Sequence, residues 1–341
     1  LSPMLWNSIA TGKLADKHGI LGFMEPDPDR TGARPVSSLS RTSKAIWNIL
    51  NQEGYRSNVT GWWASHPAEP INGAIISNMF NQVRRNPLRV PPGTIHPESR
   101  SEELGDLRVE PTELTEADIL PFIPKAGGID QREDSRLRAF AKVLSDCAST
   151  QAVTTRLMEA PDWDFTAVYF DTIDHFCHGF AEYHPPRRPH VSEEDFEMFK
   201  DVIRTAYRFH DIMLAKQLEL AGPDALVVLC SDHGFHTGGL RPSGTPREPA
   251  GPAVWHRDMG IFVMSGPGIK KDERVYGANI IDITPTVLAA MGLPVGEDMD
   301  GRVLLDVFER PPELRTIPSW EDVPGDAGGH PPGTMIDAEW S

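Results

Sequence analysis

The stretch "FTAVYFDTIDHFCHGF" (residues 165–180) joins a short apolar run to a cluster of electron-pair donors. Its first six residues are mostly aromatic or β-branched, which is typical of a β-strand. Asp171 follows at once, and Asp174 and His178 come next, four residues apart. If the chain turns helical after the strand, this spacing places Asp174 and His178 on one face of the helix.

Apolar runs beside donor residues recur later in the chain. "ALVVLC" (residues 225–230) is typical of a strand buried on both faces, and Asp232 and His233 follow it. "GIFVM" (residues 260–264) predicts another strand, shortly after His256. Ligands of parallel sheets gather at the carboxyl ends of the strands. We therefore expect the donors to lie close together.

Helical patterns alternate with the predicted strands. Residues 192–222 open with a serine and acidic residues and end in a glycine, which predicts one capped helix. Further helices are predicted at residues 3–11, 42–54 and 282–291, and a strand within residues 56–63. This alternation predicts an α/β fold, a three-layer αβα sandwich around a mostly parallel sheet.

The same patterns suggest a division of the chain. Residues 1–64 and 130–310 form the predicted core. Residues 65–129 are rich in proline and short helical patterns, so we expect an insertion or cap, with long ordinary connections as the alternative. Residues 311–341 are expected to form an irregular surface tail.

Composition excludes several classes of function. The 341 residues contain 33 Lys and Arg against 49 Asp and Glu, a formal net charge of −16. Binding to a nucleic-acid polymer is not expected, because it needs a basic surface. We find no apolar run long enough to span a membrane. The three cysteines are widely spaced and imply no disulfide framework, so a reducing compartment such as the cytoplasm is the default expectation.

The donor residues are suited to metal binding. Carboxylate oxygen and imidazole nitrogen are ordinary ligands of zinc, and also of manganese or iron. Each pair alone has a simpler explanation: a histidine beside a surface acid for Asp174 and His178, and a hydrogen-bonded turn for Asp232 and His233. Two such pairs and His256, each beside a predicted strand, favour a site for two divalent cations.

These segments also resemble a known family. "SDHGF", "DTIDHFCHGF", "WHRDMGIFVMSGPGI" and "IIDITPTVLAAMGLPVGEDMDGRVLLDVF" resemble the alkaline phosphatase superfamily, in particular its type I phosphodiesterase/nucleotide pyrophosphatase branch. "SPMLWNSIATGKLADKHGI" looks like the nucleophile segment of that branch. The resemblance covers residues 1–62 and 160–308 and implies an alkaline phosphatase-like fold.

The resemblance implies the roles of individual residues. One metal would be bound by Asp174, His178 and His256. The second would be bound by Asp232, His233 and the oxygen of Ser2. Ser2 would also be the nucleophile, and its place before a helix agrees with this role, because free helix amides favour developing negative charge. Zinc is the expected metal, with manganese as the alternative.

The implied activity is two-metal hydrolysis of a small phosphate ester, a phosphodiester or nucleotide pyrophosphate, through a covalent phosphoseryl intermediate. A phosphomonoesterase, a phosphomutase or a sulfatase-like enzyme is the first alternative. Ser2 lacks the nearby arginine of the sulfatase motif, which counts against a sulfatase. A non-catalytic homologue that binds a metal or ligand is the second alternative.

Two features depart from the family pattern. Relatives complete the second metal site with an Asp at the end of a first strand, upstream of the nucleophile. That position would precede Leu1, so we expect upstream residues; without that strand the sheet would be open. Leu5 occupies the position where relatives often have an Asn that steadies a phosphoryl oxygen.

Other polar and aromatic residues receive simpler interpretations. His18 is expected to be structural, and His175 is an alternative metal ligand. A solvated loop is expected to hold His236, Thr237 and Arg241, with substrate contact as the alternative. For Trp62 and Trp63 we expect buried packing, with ring stacking on a substrate as the alternative.

Overall fold

A computed structural model describes residues 1–27, 32–82, 90–248 and 251–336. The helices are α1 (Ser2–Thr11), α2 (Ala15–His18), α3 (Ile46–Gln52), α4 (Ser101–Gly105), α5 (Glu116–Ile119), α6 (Arg136–Met158), α7 (Thr172–Phe180), α8 (Glu193–Phe199), α9 (Val202–Ala221) and α10 (Ile283–Ala290). The strands are β1 (Met24–Pro26), β2 (Ala33–Pro35), β3 (Ser57–Thr60), β4 (Gly73–Ile76), β5 (Ile95–His96), β6 (Phe165–Val168), β7 (Val227–Cys230), β8 (Gly234–Phe235), β9 (His256–Arg257), β10 (Phe262–Ser265), β11 (Val295–Gly296) and β12 (Thr316–Ile317).

The central sheet has four strands in the order β5-β4-β3-β6. β3 pairs in parallel with both β4 and β6, and β4 pairs antiparallel with β5. Helices pack on both faces. Ile75 of β4 packs in the cluster that contains Trp47 of α3 and Leu288 of α10, whereas its neighbour Ile76 packs with Val153 of α6. Successive side chains of β4 therefore pack against helices on opposite faces of the sheet. The predicted α/β class is confirmed.

The strand predicted from "ALVVLC" is less buried than expected. β7 pairs antiparallel with β10, and Leu229 within it is 39% exposed. Within the described residues, no strand pairs with the other edge of β7 or with the outer edge of β6. β6 and β7 both line a cavity of about 1270 Å³. The prediction of burial on both faces is therefore wrong for β7, because one side of the strand borders this cavity.

Several helices differ from the sequence prediction. The single helix predicted at residues 192–222 is divided into α8 and α9, and the backbone carbonyl of Asp201 accepts the first bond of α9 from Thr205. The long helix α6 was not identified from the sequence. Ser192 does cap α8, since its hydroxyl accepts a hydrogen bond from the Asp195 amide.

The division into core, cap and tail remains a prediction. β4 and β5 fall within residues 65–129, so this region contributes two strands to the central sheet. The chain after residue 311 has little regular structure, yet Trp320 is 2% exposed and donates to the carbonyl of Pro294. Among the described helices, none combines the length and apolarity needed to cross a membrane. All three cysteines are free.

His18 is structural, as predicted. It is fully buried, its Nδ1 accepts a hydrogen bond from the Ile20 amide, and its Nε2 lies 3.0 Å from the hydroxyl of Ser8. This arrangement suits the neutral imidazole, with the proton on Nε2 donated to Ser8. Burial, assisted by the charge of Arg41, lowers the pKa of His18 to about 4.

This burial predicts a pH dependence of stability. The unfolded chain binds a proton near pH 6.5 and the folded chain only near pH 4, so the contribution of His18 is intact above pH 6.5 and falls as the pH drops. The free energy of unfolding should fall by about 2 kcal/mol over this window, after allowance for solvent screening. Urea unfolding of the wild type and of His18→Gln at pH 7 and pH 4.5 measures this. A shallower pH dependence is expected for the variant; equal dependences would contradict the assignment.

Candidate metal centre

The turn from β6 into α7 delivers the first donor pair. The strand ends at Val168 and the helix begins at Thr172, so Asp174 and His178 lie one turn apart on α7. The Asp174 Oδ1 atom is 3.3 Å from His178 Nε2. The helical placement expected from their spacing is therefore present.

A short pair of strands brings His256 to the same point. β8, which follows Asp232 and His233, pairs antiparallel with β9, and Phe235 lies opposite His256. His256 Nε2 lies 3.3 Å from Asp174 Oδ1 and 2.9 Å from His178 Nε2.

These three ligand atoms fit a metal ion. Zinc lies about 2.0–2.2 Å from nitrogen and oxygen ligands, so two ligands of a tetrahedral ion are about 3.3 Å apart. The observed separations are 3.3, 3.3 and 2.9 Å. The Asp174 Oδ1 atom is buried and accepts no well-formed hydrogen bond. Asp174, His178 and His256 are thus a group that could hold a metal ion.

The second donor pair lies beside the first. His233 Nε2 is 3.9 Å from Asp174 Oδ1 and 3.7 Å from Asp232 Oδ1, and the His233 ring stacks on His256 with centroids 3.7 Å apart. His233 Nδ1 lies 3.0 Å from the Gly234 carbonyl, a bond that places the proton on Nδ1 and leaves Nε2 as a ligand. Asp232 Oδ2 is buried and has no hydrogen-bond partner.

Ser2 joins this second pair. It is the first residue of α1, which has no side-chain cap, and its hydroxyl is close enough to the Asp232 carboxyl to lower the pKa of that group in part. All six predicted site residues line one cavity of about 1510 Å³. Leu5 lines the same cavity, so its apolar side chain faces the space where relatives often present an Asn. The structure therefore brings the predicted residues together; their roles remain proposals.

The two carboxyl groups of the site differ in their electrostatic surroundings. Burial raises the pKa of Asp174, but the close imidazoles of His178 and His256 outweigh burial and hold it well below its usual range. Burial raises the pKa of Asp232 above its usual range, despite the adjacent His233. Two neighbouring, partly buried carboxylates favour a compensating positive charge between them.

Other candidates lie outside the cluster. The His175 side chain is 51% exposed and lies 3.8 Å from Asp171. It lines the same cavity as His178, but it is not among the three residues whose ligand atoms converge. Burial raises the pKa of the Cys177 and Cys230 thiols to about 12, which disfavours the thiolate that metals bind. Neither cysteine is among the described residues whose ligand atoms converge.

Two expectations about neighbouring residues are resolved by packing. Trp62 is 8% exposed and packs edge-on against Trp6, with ring centroids 5.0 Å apart, so its predicted buried packing is confirmed. Trp63 is partly buried and packs against Phe23. Arg241 was expected on a solvated loop and this is wrong, since it is 4% exposed and bound by main-chain carbonyls.

The chain is similar in sequence to known proteins. A sequence model of the family "Type I phosphodiesterase / nucleotide pyrophosphatase" matches residues 1–242. A human relative, "GPI ethanolamine phosphate transferase 2, catalytic subunit", is 25% identical over 188 residues, which is 50% of this chain. The chain spans only 18% of that relative's length.

Solved structures show weaker similarity. Phosphonoacetate hydrolase from Sinorhizobium meliloti, in complex with phosphonoformate, is 14% identical with a TM-score of 0.37 and coverage of 68% of this chain and 45% of its own. A protein in complex with its substrate D-glucosamine-2-N,6-O-disulfate is 15% identical with a TM-score of 0.38 and coverage of 94% and 72%.

The geometry predicts metal binding that depends on α7. His178→Ala removes one of three converging ligands, so the zinc affinity of the purified protein should fall at least about 10-fold. His175→Ala is the matched control on the same helix and should retain wild-type affinity. Competition with a chromophoric chelator measures both. Equal losses in the two variants, or loss only in His175→Ala, would contradict the ligand assignment.

Proposed function

Because the chain belongs to the type I phosphodiesterase/nucleotide pyrophosphatase family, we propose that it is a metal-dependent hydrolase of phosphate esters. The family supports phosphoryl chemistry on a phosphate ester, by hydrolysis or by transfer. Diesters and nucleotide-type pyrophosphates are the preferred substrates in this proposal. The observation that carries it is the convergence of Ser2, His256 and the two Asp/His pairs on one cavity.

Two divalent cations fit the donors in the proposal. Asp174, His178 and His256 would hold one cation. Asp232, His233 and the Ser2 oxygen would hold the other. Zinc is proposed, with manganese as the alternative, because mixed carboxylate and imidazole ligands suit both. When bound, the cations supply positive charge to the phosphoryl oxygens and favour the ionised Ser2 hydroxyl.

Ser2 is the proposed nucleophile. Its oxygen forms a bond to phosphorus while the bond from phosphorus to the leaving-group oxygen breaks, and the leaving oxygen keeps the electron pair. The Ser2 proton would pass to solvent in the cavity that Ser2 lines. Water then attacks the phosphoseryl ester, and Ser2 regains a proton as the phosphate departs.

The start of α1 supports this role. The helix has ten residues and no side-chain cap, so the positive end of its dipole is directed at Ser2. Negative charge that develops on the Ser2 oxygen or on a phosphoryl oxygen would be stabilised there. With a net charge of −16 over the whole chain, such local positive fields are needed to hold an anionic substrate.

Transfer is the second candidate, and one comparison favours it. The human relative over half of the chain is named as an ethanolamine phosphate transferase. The same Ser2 step would then be followed by attack of an alcohol rather than water. Adding a simple alcohol to the assay and analysing the products by phosphorus NMR distinguishes the two, since transfer yields a new phosphate ester.

Activity should depend on Ser2 and Asp232. Ser2→Ala removes the proposed nucleophile and Asp232→Ala a proposed ligand, so hydrolysis of bis(p-nitrophenyl) phosphate should fall at least about 1000-fold in each. Ser243→Ala, at an exposed serine, is the control and should keep wild-type activity. The corresponding aryl monophosphate and aryl sulfate should be slower substrates.

Full activity in Ser2→Ala or Asp232→Ala would refute the proposed mechanism. Preference for the monoester or the sulfate would replace the proposed substrate class. Bound zinc without turnover of any ester would instead favour the non-catalytic homologue.

A further inference from the structure

Arg241 is buried in an unusual way. It is 4% exposed, and no carboxylate of the described chain lies within 4.0 Å of its guanidinium. All of its hydrogen bonds go to main-chain carbonyls. Its acceptors are Gly238 at 2.9 Å, Ala181 at 2.7 Å, Glu182 at 3.2 Å, Pro186 at 2.6 Å and His184. Burying a charge without a counter-ion costs free energy. We therefore take the hydrogen bonds of Arg241 to hold neighbouring backbone segments in place.

These acceptors lie on two segments that lead away from the metal centre. Residues 181–186 follow α7 directly, and α7 carries Asp174 and His178. Gly238 and Arg241 follow β8, which itself follows the second donor pair. The Arg241 guanidinium therefore connects residues 181–186, which follow Asp174 and His178, to residues 238–241, which follow Asp232 and His233.

Arg188 makes the complementary contacts. It lies just beyond residues 181–186, and its Nη1 atom donates to the carbonyls of Arg241 and, at 2.7 Å, of Pro242. Arg241 thus binds the main chain just before Arg188, and Arg188 binds the main chain at Arg241 and Pro242. Main-chain acceptors do not change with side-chain rotamers, so the planar guanidinium groups fix the relative positions of the two backbones.

Packing links the same segments to His256. The preceding residue, Trp255, is 4% exposed and packs in the cluster that contains Phe176 and Phe180 of α7 and Ala181. Trp255 also accepts, through its carbonyl, a 2.8 Å hydrogen bond from the amide of His236, which lies between β8 and Arg241. A shift of residues 236–241 relative to α7 would therefore move both His256 and the second donor pair.

We propose that Arg241 and Arg188 form a reciprocal clamp that positions the ligand pairs on α7 and after β7 for joint metal binding. Both are positioning residues, since neither contacts the donor atoms. The inference rests on the metal centre of the proposed function. Lysine cannot replace either arginine fully, because an ammonium has three donors on a flexible stem and cannot span the acceptors of two segments.

Cobalt binding tests the clamp without reference to activity. Co²⁺ occupies zinc sites and reports its ligand geometry through visible absorption bands. Titration of Arg241→Lys and Arg188→Lys with Co²⁺, at a temperature where circular dichroism shows folded protein, should give a dissociation constant raised about 10-fold with weakened bands. Arg204→Ala is the control, because Arg204 is an exposed arginine paired with Asp201 on the nearby helix α9. It should match the wild type.

The outcomes separate the clamp from a purely structural role. Unchanged cobalt affinity and spectrum in the folded variants, even with a lower melting temperature, would overturn the clamp. So would failure of both lysine variants to fold, or absence of cobalt binding by the wild type. If the wild type binds cobalt but hydrolyses no phosphate ester, the proposed function fails, while the shift in cobalt affinity still decides the clamp.

Discussion

The site depends on the carboxylate of Asp174, whose Oδ1 atom is buried. Its Oδ1 atom lies 3.3 Å from the Nε2 atoms of both His178 and His256, and no well-formed hydrogen bond satisfies it. Positive charge close to this oxygen would stabilise the carboxylate, and the second, partly buried carboxylate of Asp232 adds to that effect. The fold places two imidazole nitrogens beside this oxygen, and the three ligand atoms could hold a metal ion.

The α/β architecture accounts for this convergence. β6 passes directly into α7, so one connection places a carboxylate and an imidazole on a single helical face. The β8–β9 pairing carries His256 across to the residues that follow β7. Donors separated by much of the chain therefore meet without any one segment forming the whole site. The buried arginines then fix how the two contributing backbones lie relative to each other.

Sequence patterns identified donor residues that the fold brings together, because the causes of their placement are local. The four-residue spacing of Asp174 and His178 needs only a helix, and β6 and β10 are short apolar runs. Long-range causes were missed. The partial exposure of β7 follows from an edge with which no described strand pairs, and the burial of Arg241 follows from carbonyls of a distant segment. Every residue type supplies a main-chain carbonyl, so no particular side chain in the sequence indicates where Arg241 binds.

Anomalous diffraction at the zinc absorption edge, from crystals grown with zinc, is the most direct test of the metal centre. We predict a peak about 2.0–2.2 Å from Asp174 Oδ1, His178 Nε2 and His256 Nε2, and a second about 4 Å away beside Asp232 and His233. Zinc peaks only at other positions, or none within reach of Asp174 in zinc-saturated protein, would contradict the account.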